Sequence, residues 1–412
     1  MGPRVLISGA GIAGTVLAYW LAQHDFTITM LERSRSDSQA GQIIDIEGPA
    51  REIVRRMGLM EEIMGKVTHE AGIRFVDDAG KEYARFPAGE GGLGVSNEIE
   101  IMRPQLAGAL MGGVERVGGV EVRYGCGVSG VQQMEKEGKV VVDIEDRVAK
   151  TVSTEEFDFL VACDGLRSTT RDMILPVDQR RECLKPTGFF AAFFSIPARP
   201  HDRPYATLLN APGRRTVFLK PLTDEQTSAY LTCGKFCPQL REAREFRDVE
   251  AQKRVLARHF EGLGWETERV LEGMRETQNF YFEEITQVKL GRWFEGRCVL
   301  LGDTAYCPSP LTGQGTNLAI LGAYVLAAKL VKAFKGGDKD PRGAFEAYEK
   351  DLRPYVDTVQ PIPLGGYLPT LINPETSWGI WVLRKIVGWV SWLQLWRIIP
   401  DIKNVGYELP DL

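Results

Sequence analysis

The sequence predicts an α/β fold: a domain built on a parallel sheet and discontinuous along the chain, an inserted β-sheet domain, and helices at the C-terminal end. Three observations carry this. Residues 4–32 read as strand, Gly-rich turn, helix and strand. Two more short apolar runs, Phe157–Cys163 and Arg297–Leu301, each stop at a turn that pairs Asp with Gly. Between them, from Pro186 to about Glu284, the pattern changes to β-formers.

Arg4-Val5-Leu6-Ile7-Ser8 has the composition of a strand buried on both faces. Gly9-Ala10-Gly11-Ile12-Ala13-Gly14 follows directly. Val16, Leu17, Trp20 and Leu21 then recur at helical spacing, and Phe26–Leu31 is a second strand ending at Glu32. Gly9 permits the tight turn, Gly11 lets the backbone approach a pyrophosphate, and Gly14 lets helix and strand pack closely; Ala13 belongs to the same turn. The helix N-terminus offers free N–H groups to phosphate. Glu32 can accept hydrogen bonds from ribose hydroxyls, and Arg33 is placed to flank the adenosine. The unit is a Rossmann-like dinucleotide site, but alone it does not separate FAD from NAD. The same spelling at Gly125–Gly130 precedes an alternating pattern around Glu137-Gly138-Lys139. That is a β-hairpin with no helix to hold phosphate, and it is read as structural.

The chain has 412 residues, enough for two or three domains, and a formal net charge of -5. The acidic balance argues against nucleic acid as the main partner. Seven cysteines are scattered; only Cys233 and Cys237 are close, and no second pair follows, so no metal site is expected. Free thiols suit a reducing, cytoplasmic location, and no signal peptide is expected before the strand at Arg4.

The second apolar run ends in Asp164-Gly165-Leu166-Arg167-Ser168, with Arg171 beyond. The third ends in Gly302-Asp303-Thr304-Ala305, and Pro308–Asn317 then leads into an apolar helix from about Leu318 to Phe334. Gly302-Asp303 puts a carboxylate at the carboxyl end of a strand, where α/β sheets bind ligands. Such a carboxylate can hold the hydroxyls of a sugar-alcohol chain. Two helix starts fed by parallel strands suit an extended cofactor such as FAD.

In this order the motifs resemble the group A flavin-dependent monooxygenases of the p-hydroxybenzoate hydroxylase fold. The resemblance covers about residues 1–335, and residues 309–330 look most like the tetracycline-inactivating branch. It implies a Rossmann-like FAD-binding domain with FAD as cofactor and NADPH or NADH and O2 as co-substrates. By this resemblance Glu32 would hold the adenosine ribose, and Arg103 would contact FAD. Asp164 and Gly165 would lie near the pyrophosphate and the nicotinamide route. Asp303, after Gly302, would bind the ribitol chain, and Asp45 would lie beside the flavin. Pro310 would sit at the reactive flavin edge. Gly313, Gln314, Gly315, Thr316 and Asn317 would offer N–H donors to the flavin N1–C2=O end. Each has a plainer reading: Asp164 as a helix cap, Arg103 as a surface arginine, Asp45 as a solvated strand-end acid. Arg35 is the residue nearest to the branch's NADPH-binding arginine.

The resemblance also implies the reaction: one oxygen passes from a flavin C4a-hydroperoxide to an electron-rich aromatic, indole, enol or alkene substrate, as in natural-product tailoring. A flavin-dependent dehydrogenase or oxidase, or a non-catalytic flavin-binding scaffold, is the alternative. None of the four histidines sits in a motif; Tyr230 and Arg214 are the remaining candidates for acid–base work. Phe190, Phe218 and Tyr230 could line an aromatic chamber or be plain core.

The expected boundaries are 1–75, 99–180 and 285–335 for the FAD-binding domain, 76–98 and 181–284 for the substrate-binding sheet, and 336–412 for a helical segment. That last segment carries Trp378, Trp381, Trp389, Trp392 and Trp396, interrupted by Arg384, Lys385 and Arg397. The charges argue against a membrane span. Packing across the domains or lidding the chamber is the expectation, with peripheral membrane contact or dimerisation as alternatives. The sequence does not give the oligomeric state.

Overall fold

The computed structural model describes residues 2–34, 42–68, 70–88, 99–234, 238–245, 248–397 and 406–412. Arg35 and Cys237 lie outside them. The apolar runs at Arg4–Ser8, Thr27–Glu32, Phe159–Ala162 and Cys298–Leu300 form strands of one six-stranded sheet. Its order is Phe294–Glu295, Cys298–Leu300, Phe159–Ala162, Arg4–Ser8, Thr27–Glu32, Val120–Tyr124, and only the first pair is antiparallel. Val5, Leu6 and Ile7 are fully buried, as a strand covered by helices on both faces must be. The helices Ile12–Leu21 and Gly315–Lys335 pack against each other beside this sheet. The second is long and apolar enough to cross a membrane, but it is mostly buried in the protein and serves as a core helix.

Gly125 is a turn, and the expected hairpin around Glu137-Gly138-Lys139 follows it with no helix. Cys126–Met134 pairs antiparallel with Lys139–Asp146, which pairs with Thr151–Phe157.

The inserted sheet has seven strands, ordered Tyr281–Val288, Leu184–Pro197, Gln226–Cys233, Arg215–Pro221, Ala206–Ala211, Gly72–Val76, Glu82–Pro87. All pairs are antiparallel except Ala206–Ala211 with Gly72–Val76. Two expected boundaries therefore move. The limit at 75 falls inside the strand Gly72–Val76, and the limit at 284 falls inside Tyr281–Val288. Both strands have mixed patterns that read equally well as either domain's edge. Residues 336–412 are not one unit either. Phe345, Tyr348 and Leu352 of the helix Arg342–Val359 join the core of the parallel-sheet domain, as do Tyr407, Leu409 and Leu412. The helix Ser377–Trp392 lies instead on the inserted sheet, against Glu82–Pro87.

Candidate active site

Three cavities share walls and form one trough along the carboxyl ends of the parallel strands. One end is lined by Ser8, Gly9, Gly11, Glu32, Arg33 and Asp164. The middle is lined by Ala13, Gln42, Arg103, Gly165, Asp303 and Thr316. The far end, about 270 Å³, is lined by Ile43, Asp45, Phe193, Tyr230, Pro310 and Gly313 among others.

The glycines do what their positions demand. Gly9 has φ +117°, and a Cβ there would stand 2.6 Å from the Cys163 carbonyl oxygen. A Cβ on Gly14 would stand 2.1 Å from the Gly9 oxygen. A Cβ on Gly11 would meet nothing within 4 Å, because it would point into the trough. The Glu32 carboxylate is tied to the turn, accepting from the Ala10 N–H at 3.2 Å and the Ser34 N–H at 2.8 Å.

Ser168 caps the helix Thr169–Ile174, accepting from the Arg171 N–H at 2.8 Å, and Asp164 supports that cap while lining the trough. Its carboxylate accepts from the Ser168 hydroxyl and from the Thr170 N–H and Oγ1 at 3.2 and 3.0 Å, which fixes the start of the helix Thr169–Ile174. Thr304 joins the second and third motifs: its Oγ1 accepts from the Gly165 N–H at 2.9 Å and contacts the Gly165 carbonyl at 3.2 Å. The buried Arg171 spans the same two loops, donating to the carbonyls of Leu166 and Thr304. Thr304 is fully buried, so Thr304→Val keeps the shape but leaves the Gly165 N–H unpaired. Urea denaturation should show a loss of about 1–3 kcal/mol, with weaker flavin retention.

Asp303 heads the short helix Asp303–Tyr306, half-buried and facing the trough. Burial raises its carboxyl above the usual range, and the Arg103 charge opposes this. Arg103 begins the helix Arg103–Val117, its N–H bonded to the Gln42 carbonyl at 3.1 Å. It lines the trough and is solvent-exposed.

The expectation of N–H donors from residues 313 to 317 is corrected in part. The Gly313 N–H bonds the Pro310 carbonyl and the Gln314 N–H bonds Thr312 Oγ1, so both are used inside the turn. Gly315, Thr316 and Asn317 head the long helix, and no carbonyl of that helix lies four residues before them to accept from their N–H groups. The side chains of Gln314 and Asn317 reach Glu47: Nε2 of Gln314 donates to Oε1 at 3.4 Å, and Oδ1 of Asn317 accepts from the Glu47 N–H at 3.1 Å. Among the described residues, Asn317 Nδ2 and Ser309 Oγ are buried without a hydrogen-bond partner.

An extended dinucleotide fits these features. The open space at Gly11 and the helix start behind it suit a pyrophosphate, Glu32 suits a ribose, and the half-buried Asp303 carboxylate suits a hydroxylated chain. The Gly315–Asn317 helix start suits the electron-rich end of a flavin ring. A family model described as an FAD binding domain matches residues 3–360. A monooxygenase of Cercospora beticola, CTB7, is 39% identical over 99% of this chain and 97% of its own length. The chain belongs to the FAD-dependent monooxygenases. An FAD-dependent monooxygenase of Sarocladium schorii, asL6, is 33% identical over 100% of this chain and 98% of its own. Among solved structures, that of the tetracycline destructase Tet(51) superposes with a TM-score of 0.77 at 27% identity, covering 100% of this chain and 99% of the other. The cofactor of this family member is FAD, with NAD(P)H as the reductant typical of the family.

The far end of the trough is the aromatic chamber, but its membership differs from expectation. Tyr230 and Phe193 line it, their ring centres 5.2 Å apart, while Phe218 packs on the Tyr230 ring at 5.4 Å without lining the cavity. Phe190 does not. It is fully buried on the other face of the sheet and stacks on Phe282 at 5.8 Å. Strand alternation explains this: residues 190 and 193 point to opposite faces, and only the second faces the trough. Arg214 is also misplaced as a catalytic group. It occupies the turn between Ala206–Ala211 and Arg215–Pro221 with φ +58° and pairs with Glu375 at 3.5 Å. Among the described histidines, His24, His201 and His259 line none of the three cavities. Cys163, Thr170, Phe193 and Thr304 were not singled out by sequence. Their one signal is adjacency to the Gly/Asp turns or, for Phe193, strand alternation.

Behind Tyr230 lies a cluster the sequence did not announce. Lys220 Nζ sits between Glu70, at 2.6 Å, and Glu100, with all three side chains nearly buried. Lys220 and Tyr230 share a sheet face, because Phe218 pairs with Tyr230 and Lys220 with Ser228. Burial and the neighbouring Glu70 carboxyl push Glu100 up to about 7.

Proposed function

We propose that the enzyme places one oxygen atom on an apolar, electron-rich substrate such as a phenol, indole, enol or alkene, as a tailoring hydroxylase or epoxidase. The observation that supports this is the chamber of Phe193, Tyr230 and Pro310 at the end of the trough where the Gly315–Asn317 helix start would hold the flavin ring. FAD held in this trough would carry electrons from NAD(P)H to O2, one atom of which would go to the substrate and the other leave as water. The chain's own residues bind and orient. The aromatic walls hold a flat apolar molecule and keep water out. Tyr230 accepts from the Ile43 N–H at 3.3 Å, and burial raises its phenol further above the usual range, so it stays protonated and can donate to a substrate oxygen. Asp45 stands at the chamber rim. Similarity to a tetracycline destructase supports a polycyclic substrate.

The test is NADPH and NADH consumption by the yellow protein with a panel of phenols, indoles and polyketides, with peroxide measured in parallel. Stimulated consumption, little peroxide and a product heavier by one oxygen are expected. Oxidised product without added oxygen would move the enzyme to a dehydrogenase or oxidase. A flavin that neither nicotinamide cofactor reduces under any addition would leave only a scaffold role.

A further inference from the structure

We propose that the helix Ser377–Trp392 docks the enzyme on an anionic phospholipid surface. The helix begins at Thr376, whose Oγ1 accepts from the Gly379 N–H at 3.0 Å. One face binds the edge strand Glu82–Pro87. Ile380 is buried, Val387 and Val390 pack on the cluster around Ala84 and Phe86, and Ser391 Oγ bonds both the N–H and the carbonyl of Arg85. Trp396, in the following turn, is buried against Phe86. The helix covers an edge that would otherwise be open. Its residues line none of the three cavities of the trough, so the expected lid over the chamber is not what it forms.

The tryptophans of this helix point the other way. Trp378, Trp381, Trp389 and Trp392 are 73%, 57%, 67% and 80% exposed. At 100° per residue they fall, with Lys385, within an arc of about 80°. Ile386 and Leu393 flank them, also exposed. The segment just before adds exposed Leu364, Tyr367, Leu371 and Ile372. Asn210 Nδ2 holds the Ile372 carbonyl at 3.1 Å, so this segment rests on the strand Ala206–Ala211, which the helix also touches.

A lipid surface is the occupant this chemistry fits. Indole has a large apolar body and one N–H that needs a polar partner, which the headgroup region supplies. A row of them along a 16-residue helix is too short to span a bilayer but suits one lying in its interface. The charge is complementary too. Residues 377–397 carry Arg384, Lys385 and Arg397 and no acid, in a chain of net charge -5. Arg384 is held by Asp78 at 3.1 Å, while Lys385 lies within the tryptophan row, its Nζ 5.7 Å from the Trp381 ring centre. A second copy of this chain fits less well, because a two-fold contact through the row would bring Lys385 against its own copy.

The test uses the full FAD-loaded chain, sedimented with vesicles of phosphatidylcholine alone and of phosphatidylcholine mixed with phosphatidylglycerol. Binding to the mixed vesicles should be about tenfold tighter, with a blue shift of tryptophan emission. Replacing Trp378, Trp381, Trp389 and Trp392 together by Ser should leave the protein in the supernatant with its flavin absorbance intact. Lys385→Glu, which keeps the tryptophans, should reduce the preference for the mixed vesicles. Wild-type protein that stays in the supernatant with both vesicles overturns the proposal, and so does binding that survives the fourfold change. A dimer by light scattering that the fourfold change dissociates, without vesicle binding, would assign the face to a second copy instead.

Discussion

Gly11→Val is expected to yield a folded protein that has lost its FAD. Gly11 has φ -74° and ψ -176°, extended backbone that any residue adopts, so valine brings no strain. A Cβ there touches no protein atom within 4 Å, so the folded chain without cofactor has room for it. That room lies where the pyrophosphate approaches the turn, at the start of the helix Ile12–Leu21. Valine would stand in that approach. Affinity for FAD should fall by at least about a hundredfold, or about 2.7 kcal/mol. The stability of the apoprotein should change by no more than about 0.5 kcal/mol. Gly14→Ala makes the contrast, because its Cβ would meet Gly9 oxygen at 2.1 Å and Cys163 Sγ at 2.9 Å. That variant should lose stability whether or not flavin is present. Absorbance of the purified flavin, titration of the apoprotein with FAD, and urea denaturation of both forms read the two effects apart. A Gly11→Val protein that keeps its flavin at wild-type affinity would show that the pyrophosphate does not approach here.

This contrast also shows what was legible in the sequence. The parallel-sheet domain could be read because each of its constraints is local. A strand covered on both faces must be apolar throughout, and a phosphate turn must lack side chains at fixed offsets. Arg4–Ser8, Gly9–Gly14, Phe159–Ala162 and Gly302-Asp303 all satisfy those local demands. The chamber was less legible. Phe190 and Phe193 are three residues apart on one strand, and a β-bulge lies just before Phe190 in its pairing with Tyr281–Val288. Which aromatic faces the flavin site depends on which sheet face meets the other domain, and no local pattern records that. The donors at 313–317 were half legible for a similar reason. The turn is obvious, but its consumption of the Gly313 and Gln314 N–H groups follows from the left-handed conformation at Ser309 and Gly313. The buried cluster of Lys220, Glu70 and Glu100 gave no signal at all. Its members come from the loop before Gly72–Val76, the start of the strand Glu100–Met102 and the end of the strand Arg215–Pro221, and each alone reads as a solvated charge.

That cluster carries the second large effect. Lys220→Met should destabilise the enzyme by about 3–5 kcal/mol at pH 8, because a buried charge that loses its partner is left uncompensated. Here two carboxylates lose the same cation. The penalty should shrink near pH 5, and the sign follows from protonation. Glu100 titrates at about 7 in the fold, above the ordinary value of 4.5, so the folded state binds its proton more tightly than the unfolded chain. Its contribution to stability is fully present below pH 4.5 and is lost as pH rises through about 7. With Lys220 in place, the one cation balances one carboxylate, and the second can keep a proton. Without Lys220 no cation opposes the burial of Glu100, whose proton an acidic solution provides and a basic one does not. Glu100→Gln should act in the opposite sense. It leaves Lys220 paired with Glu70 and should flatten the fall in stability between pH 4.5 and 7. Urea midpoints at pH 5 and pH 8 for the wild type and both variants decide the matter. Equal losses for Lys220→Met at the two pH values would mean that the lysine contributes only its hydrocarbon stem. Because Lys220 shares its sheet face with Tyr230, the same variant connects stability to the chamber. If the cluster holds Tyr230 in place, NADPH consumption by Lys220→Met at pH 5, where it is folded, should shift from product toward peroxide, while Glu100→Gln stays coupled.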